Sequence, residues 1–133
     1  MLNHRTVLVV EDEPLIAMSL SLAIEDAGGK VIGPVPAVGE AIALLASQEV
    51  ASAILDANLI DRDITPLALL LASRRVPFVI YTAVGVPSEL CVALPGVPVV
   101  MKPEAPEQVL SLLIDEIQKG GQTAYCGYSG RSI

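Results

Sequence analysis

At 133 residues, with Asp+Glu 15 against Lys+Arg 8 and a formal net charge of -7, the chain fits one domain and excludes two independent cores. Its hydrophobic share of 53 % exceeds the roughly 45–50 % usual in soluble domains, which excludes disorder for the bulk of the chain. Apolar runs such as that at 67–72 stop far short of the ~18 residues of a membrane span, and the acidic balance repels phosphate backbones and anionic lipid, so direct nucleic-acid binding is excluded.

In chain order, residues 1–5 lead straight into an apolar run and then into acid, too short and wrongly flanked for a signal peptide, so a cytoplasmic location is expected. The first strand is expected at 6–10. Pro14 at a first helical position and Gly28-Gly29 as a stop predict a helix over 14–27, with Leu15, Met18 and Leu22 on one stripe. A strand at 31–35 and a helix at 38–47 follow, then a strand at 53–56, a helix at about 66–73 and a strand at 78–82. Pro87 and Pro95 leave room only for a short helix at 88–93, ahead of a strand at 97–101 and a helix at 106–119. Five βα units of this kind predict a parallel sheet covered on both faces by helices. The Gly- and Ser-rich residues 120–133 read as a flexible tail, and Cys91 and Cys126, without CxxC spacing, as ordinary thiols.

Open parallel α/β sheets bind ligands beyond the carboxyl ends of their strands. Those ends here are Glu11-Asp12-Glu13, Asp56, Thr82 and Lys102. Each has an ordinary reading: acids before a helix as caps, Asp56 with Asn58 as a turn, Thr82 as a strand residue, Lys102 ahead of Pro103 as the start of a loop. Together they require more, because carboxylates from neighbouring strands repel one another unless a cation lies between them. Oxygen ligands alone point to Mg²⁺, and no His or Cys lies near to favour zinc. A nucleophilic carboxylate, one Mg²⁺ and an unpaired ammonium suit the acceptance of a phosphoryl group: Asp56 attacks in line, Mg²⁺ and Lys102 neutralise the equatorial oxygens, and Thr82 offers a hydroxyl.

The segments VLVVEDEPLI at 7–16, AILDANL at 53–59, YTA at 81–83 and MKP at 101–103 resemble, in order and spacing, the receiver domain of bacterial two-component response regulators. The resemblance runs from residue 5 to about 118. It implies a flavodoxin-like (βα)5 fold with strand order 2-1-3-4-5. It also implies phosphorylation of Asp56, with Asp12 as a direct Mg²⁺ ligand, Glu11 acting through water and Asn58 lending its backbone carbonyl. Thr82 is then the switch hydroxyl, Lys102 the partner of the phosphoryl group, Lys102-Pro103 a cis peptide, and Ala83 small enough to leave the acceptor accessible. Such a protein is not an enzyme beyond its own phosphorylation and dephosphorylation.

Three departures stand out. Val99 occupies the place, three before the lysine, where many receivers carry a rotating Tyr or Phe; PFVIYTAVG at 77–85 resembles a variant subgroup of single-domain receivers; and the loop 59–65 lacks the usual glycine. With only fourteen residues after the fifth helix, a stand-alone receiver without a DNA-binding output domain is expected. Its partners are then a histidine kinase or histidine phosphotransfer protein and an unknown downstream protein. Between Val76 and Met101 the only charge is Glu89, so a face of Leu90, Val92, Leu94 and Val97 is expected to dimerise or dock a target, unless these residues close over the core. The competing readings are a degenerate receiver acting as a phosphate-independent interaction module, and a Mg²⁺-dependent aspartyl-phosphate phosphatase, which lacks its Asp-x-Asp pair here. A dinucleotide enzyme is excluded by the missing GxGxxG turn.

Overall fold

The β-branched runs form five strands, β1 (Thr6–Val10), β2 (Lys30–Val35), β3 (Ser52–Leu55), β4 (Phe78–Thr82) and β5 (Val99–Met101), in a computed structural model that describes residues 2–119. The expected tail at 120–133 and Cys126 lie outside the described residues. Between the strands run α1 (Pro14–Asp26), α2 (Val38–Ser47), α3 (Thr65–Ser73), α4 (Ser88–Ala93) and α5 (Pro106–Gln118). All neighbours pair in parallel, in the order β2-β1-β3-β4-β5, which is the flavodoxin-like (βα)5 arrangement. Among the described residues, no helix is long and apolar enough to cross a membrane.

Boundaries moved where backbone chemistry overrides side-chain pattern. The last strand begins at Val99 rather than 97, because Pro98 has no N–H for the ladder and contributes only its carbonyl, which accepts from Ile80 N at 3.0 Å. β2 starts one residue early, where Lys30 pairs with Thr6, and its register slips after Leu8, at the Gly33-Pro34 cis peptide. Being an edge strand, β2 tolerates the proline, and it is far less buried than continuous hydrophobicity implied; β5, at the other edge, is too. Gly28, at φ +86°, turns the chain out of α1.

Side chains alternate across the sheet, so each central strand feeds two cores. On one face Leu8, Val10, Leu55, Phe78 and Ile80 pack with Leu45, Leu67, Leu71 and Leu90 from α2, α3 and α4. On the other, Val7, Val9, Ile54, Val79 and Tyr81 pack with Leu20 and Ile24 of α1 and Val109 and Leu113 of α5.

The fold decides how two apolar surfaces are used. α1 is apolar on two sides, and the sheet takes Ala17, Leu20 and Ile24, leaving the expected stripe outside, with Leu15 76 %, Met18 56 % and Leu22 55 % exposed. Both stripes have helical period; which of them faces the sheet is set by how β1 delivers the helix. The face of Leu90, Val92, Leu94 and Val97 does not exist as such: Leu90 and Leu94 are buried against α3 and the sheet, Val97 is half-buried, and only Val92 is exposed.

The two sides of α1 therefore differ in energetic weight. Leu20→Ala is expected to cost about 2–5 kcal/mol in urea unfolding, whereas Leu22→Ala, although it lies on the stripe the sequence favours, is expected to stay within about 0.5 kcal/mol of the parent.

Candidate functional site

The pairing of β1 with β3 creates the site. Val10 stands opposite Leu55, and the ladder continues one step beyond both strands, with Asp56 N donating to Val10 O at 2.9 Å. Glu11 N donates to Val35 O at 3.0 Å, fixing the next residue at the same level. Acids from two adjacent strands thus meet at the point where the chain order reverses, and ligand oxygens of Glu11, Asp12 and Asp56 all lie within 4.8 Å of one another. Glu11 and Asp56 are buried and Asp12 is half-buried.

Lys102 arrives from β5, its backbone N–H donating to Thr82 O at 2.8 Å. Its ammonium is not unpaired, as the sequence led us to expect, but stands 3.1 Å from Glu11 Oε1 and 3.3 Å from Asp56 Oδ2. The physical reason is the crowding itself: two buried carboxylates draw in an ammonium that reaches both. Burial first, and the Asp56 charge second, push the Glu11 pKa from 4.5 up to about 7, against the opposing pull of Lys102. Burial opposes the charge on Lys102, yet hydrogen bonding and attraction from Glu11, then Asp56, hold its pKa above the usual value. An all-carboxylate donor set, partly open at Asp12, suits a hard divalent cation such as Mg²⁺.

The remaining expected residues stand at or just beyond the ends of β3, β4 and β5. Thr82 is fully buried, and its hydroxyl is engaged in the loop after β4, donating to Gly85 O at 3.4 Å and accepting from Val84 N at 3.2 Å. Ala83 is exposed. Lys102-Pro103 is cis, as the resemblance implied. Asn58 is exposed and pairs with Asp63 in an isolated antiparallel bridge. That bridge, a Leu59 N to Arg62 O bond of 3.2 Å and an Asp63 carboxylate accepting from Thr65 N at 2.8 Å close the loop after β3 without any left-handed residue, so the missing glycine is not needed. Glu13 caps α1 by position only; its N–H donates to Glu11 Oε2 at 3.2 Å, tying the acidic run to the pit.

Two residues escaped sequence reasoning. Tyr81 lies under the Lys102 ammonium, 5.6 Å from ring centroid to Nζ, and donates its hydroxyl to the Glu104 carbonyl. An aromatic beside a strand-end threonine, in a chain only 3 % aromatic, was the available signal. Asp61 accepts from Val38 N at 2.9 Å and Gly39 N at 3.0 Å, capping α2, whose own cap position is Ala37; these bonds to Gly39 and then Val38 hold its pKa below the usual carboxylate value. No local pattern could reveal a cap supplied from the following β-α loop.

No family model and no curated protein sequence matches the chain. Solved structures do. SdrG from Sphingomonas melonis Fr1 is 34 % identical, with 86 % of this chain and 99 % of that one covered at a TM-score of 0.70. A CheY-like response regulator receiver domain protein from Methanospirillum hungatei JF-1 shares 21 % identity at a TM-score of 0.76, covering 86 % of this chain and 94 % of that one. The receiver domain of sensor histidine kinase PA1611 from Pseudomonas aeruginosa PAO1, which has a magnesium ion coordinated in its active site cleft, shares 21 % identity at a TM-score of 0.72, covering 86 % and 98 %. With this fold, with an acidic pit at its switch point, and with Thr82 and Lys102 at the ends of the fourth and fifth strands, the chain belongs to the response regulator receiver domains.

Proposed function

We propose that this receiver accepts a phosphoryl group on Asp56 from a histidine kinase or histidine phosphotransfer protein. The observation that carries the reading is the meeting of Asp56, Asp12 and Glu11 with one ammonium at the switch point of the sheet. A merely structural site gains nothing from carboxylates that repel one another. An Asp56 carboxylate oxygen attacks phosphorus as the P–N bond of the phosphohistidine breaks, its electron pair returning to the imidazole nitrogen. Asp12, Asp56 and the Asn58 carbonyl would hold Mg²⁺, with Glu11 acting through water. When bound, the ion neutralises charge between the carboxylates and the phosphoryl oxygens.

Lys102 then exchanges its bond to Asp56 for the new phosphoryl oxygens, and the Thr82 hydroxyl leaves Gly85 O to reach them. The protein catalyses nothing beyond its own phosphorylation and dephosphorylation, acts in the cytoplasm, and signals through protein contacts. Val84, Val92 and Met101 are exposed apolar groups that the α4 and β5 side offers to a target or a second copy.

Incubation with acetyl phosphate and Mg²⁺, followed by intact mass measurement, is expected to add one phosphoryl group that is lost in Asp56→Asn. No gain in the parent protein, with Mg²⁺ binding also absent, would instead favour a phosphate-independent interaction module. Lys102→Ala is expected to keep Mg²⁺ binding but to transmit phosphorylation poorly to amide shifts in the loop after β4; normal transmission in that variant contradicts its role.

The pit also sets a pH dependence. Because the folded state raises the Glu11 pKa from 4.5 to about 7, it holds a proton that the unfolded chain has already lost between those values. Stability without metal is therefore expected to fall as pH rises through that window, and to rise again on addition of Mg²⁺. Glu11→Gln should flatten the fall in urea titrations; an unchanged slope would count against the burial of Glu11 as its cause.

A further inference from the structure

We propose that Tyr81 is the positioning residue of Lys102, holding its ammonium from below and the turn after it from the side. The inference rests on the phosphoacceptor reading for its consequence, but its geometry is independent of it. Strand alternation places Tyr81 and Thr82 on opposite faces at the end of β4. Thr82 holds Lys102 by its backbone, through the 2.8 Å bond from Lys102 N to Thr82 O. Tyr81 holds the side chain, with Nζ 5.6 Å from its ring centroid, inside the ~6 Å range of a cation–π contact. The Tyr81 hydroxyl donates to the carbonyl of Glu104, and Glu104 N donates to Met101 O at 3.1 Å, so the turn carrying Lys102 is pinned on both sides.

Tyr81 is itself fixed. It is 4 % exposed and packed among Val9, Val79, Val109 and Leu110 in the core beneath α1 and α5. A buried ring with one polar tip needs a partner for that tip, and here the partner is the backbone that carries the lysine. A long, flexible ammonium placed between Glu11 and Asp56 has to stay within reach when its pairing changes, and a fixed aromatic surface beneath it limits how far it strays. The residue is thus an aromatic anchor for Lys102 in a chain that has Val99 three positions before the lysine. The ring acts on the phosphoryl group only through Lys102, so Tyr81 is a positioning residue and not a catalytic one.

The test uses protein with ¹³C-labelled lysine and follows two readouts. The first is the Lys102 ε-methylene signal, which the Tyr81 ring current should move away from those of Lys30 and Lys119. Tyr81→Phe is expected to keep this displacement while broadening the line, and Tyr81→Leu to abolish it. A Lys102 signal coincident with the other two in the parent protein overturns the proposal whether or not Asp56 is phosphorylated. The second is phosphoryl uptake from acetyl phosphate by intact mass, with Mg²⁺ affinity measured calorimetrically in parallel.

Tyr81→Phe is expected to slow uptake on the order of tenfold, below the ~10²-fold that an ångström of misplacement can cost, at Mg²⁺ affinity within about twofold of the parent. In a Lys102→Ala background the same substitution should cause no additional slowing, because the residue it positions is gone. Uptake at the parent rate in Tyr81→Phe, or losses that multiply in the double variant, overturn the proposal. A parent protein that takes up no phosphoryl group overturns the phosphoacceptor reading instead, and leaves the lysine signal to decide the role of Tyr81.

Discussion

Buried like charge is the constraint from which the rest of the site follows. Glu11 and Asp56 are brought together at less than a tenth exposure by the pairing of β1 with β3, where desolvation first and the Asp56 charge second raise the Glu11 pKa to about 7. Such a pair persists only with a cation beside it, and Lys102 is placed to be that cation. An ammonium and a divalent ion would compete for the same oxygens, so any metal binding here would be linked to the position of Lys102 through one electrostatic balance. Under the proposed phosphorylation, the phosphoryl oxygens would enter the same balance as further acceptors.

The sheet order makes this convergence possible. Because β2 lies outside β1, the first and third strands are neighbours and their carboxyl ends share one crevice, while β4 and β5 follow on the far side. The end of β4, with Thr82, therefore lies between the strand that carries Asp56 and the strand that leads to Lys102. Lys102 must reach across β4 to Asp56, and a long side chain supported by Tyr81 does so. The loop after β3 is held from its other end, since Asp61 caps α2. The strand that carries Asp56 is thereby connected to a helix that has no side-chain cap of its own.

Much of this was legible in the amino-acid order. Short β-branched apolar runs and helical periods placed nine of the ten elements, because a strand or helix reports its own burial through neighbours only a few residues apart. The acids after β1, Asp56, Thr82 and Lys102 were recognisable as strand-end polar residues without a role in sheet formation, and their convergence followed from the topology. Even the short α4 was legible from the prolines on either side of it.

What the tertiary structure alone decided involves contacts between residues far apart in the chain. Lys102 meets Glu11 across 91 positions and Asp56 across 46, and Asp61 caps Val38 across 23, separations at which no local periodicity survives. The same holds for α1, whose two apolar stripes are equivalent in period and are told apart only by the direction in which β1 presents the helix. Residue order thus determined the elements and the chemical inventory of the pit. Packing decided which carboxylates share a counter-ion, which ring lies beneath it and which leucines see water, because those choices depend on distances that exist only after the chain has closed.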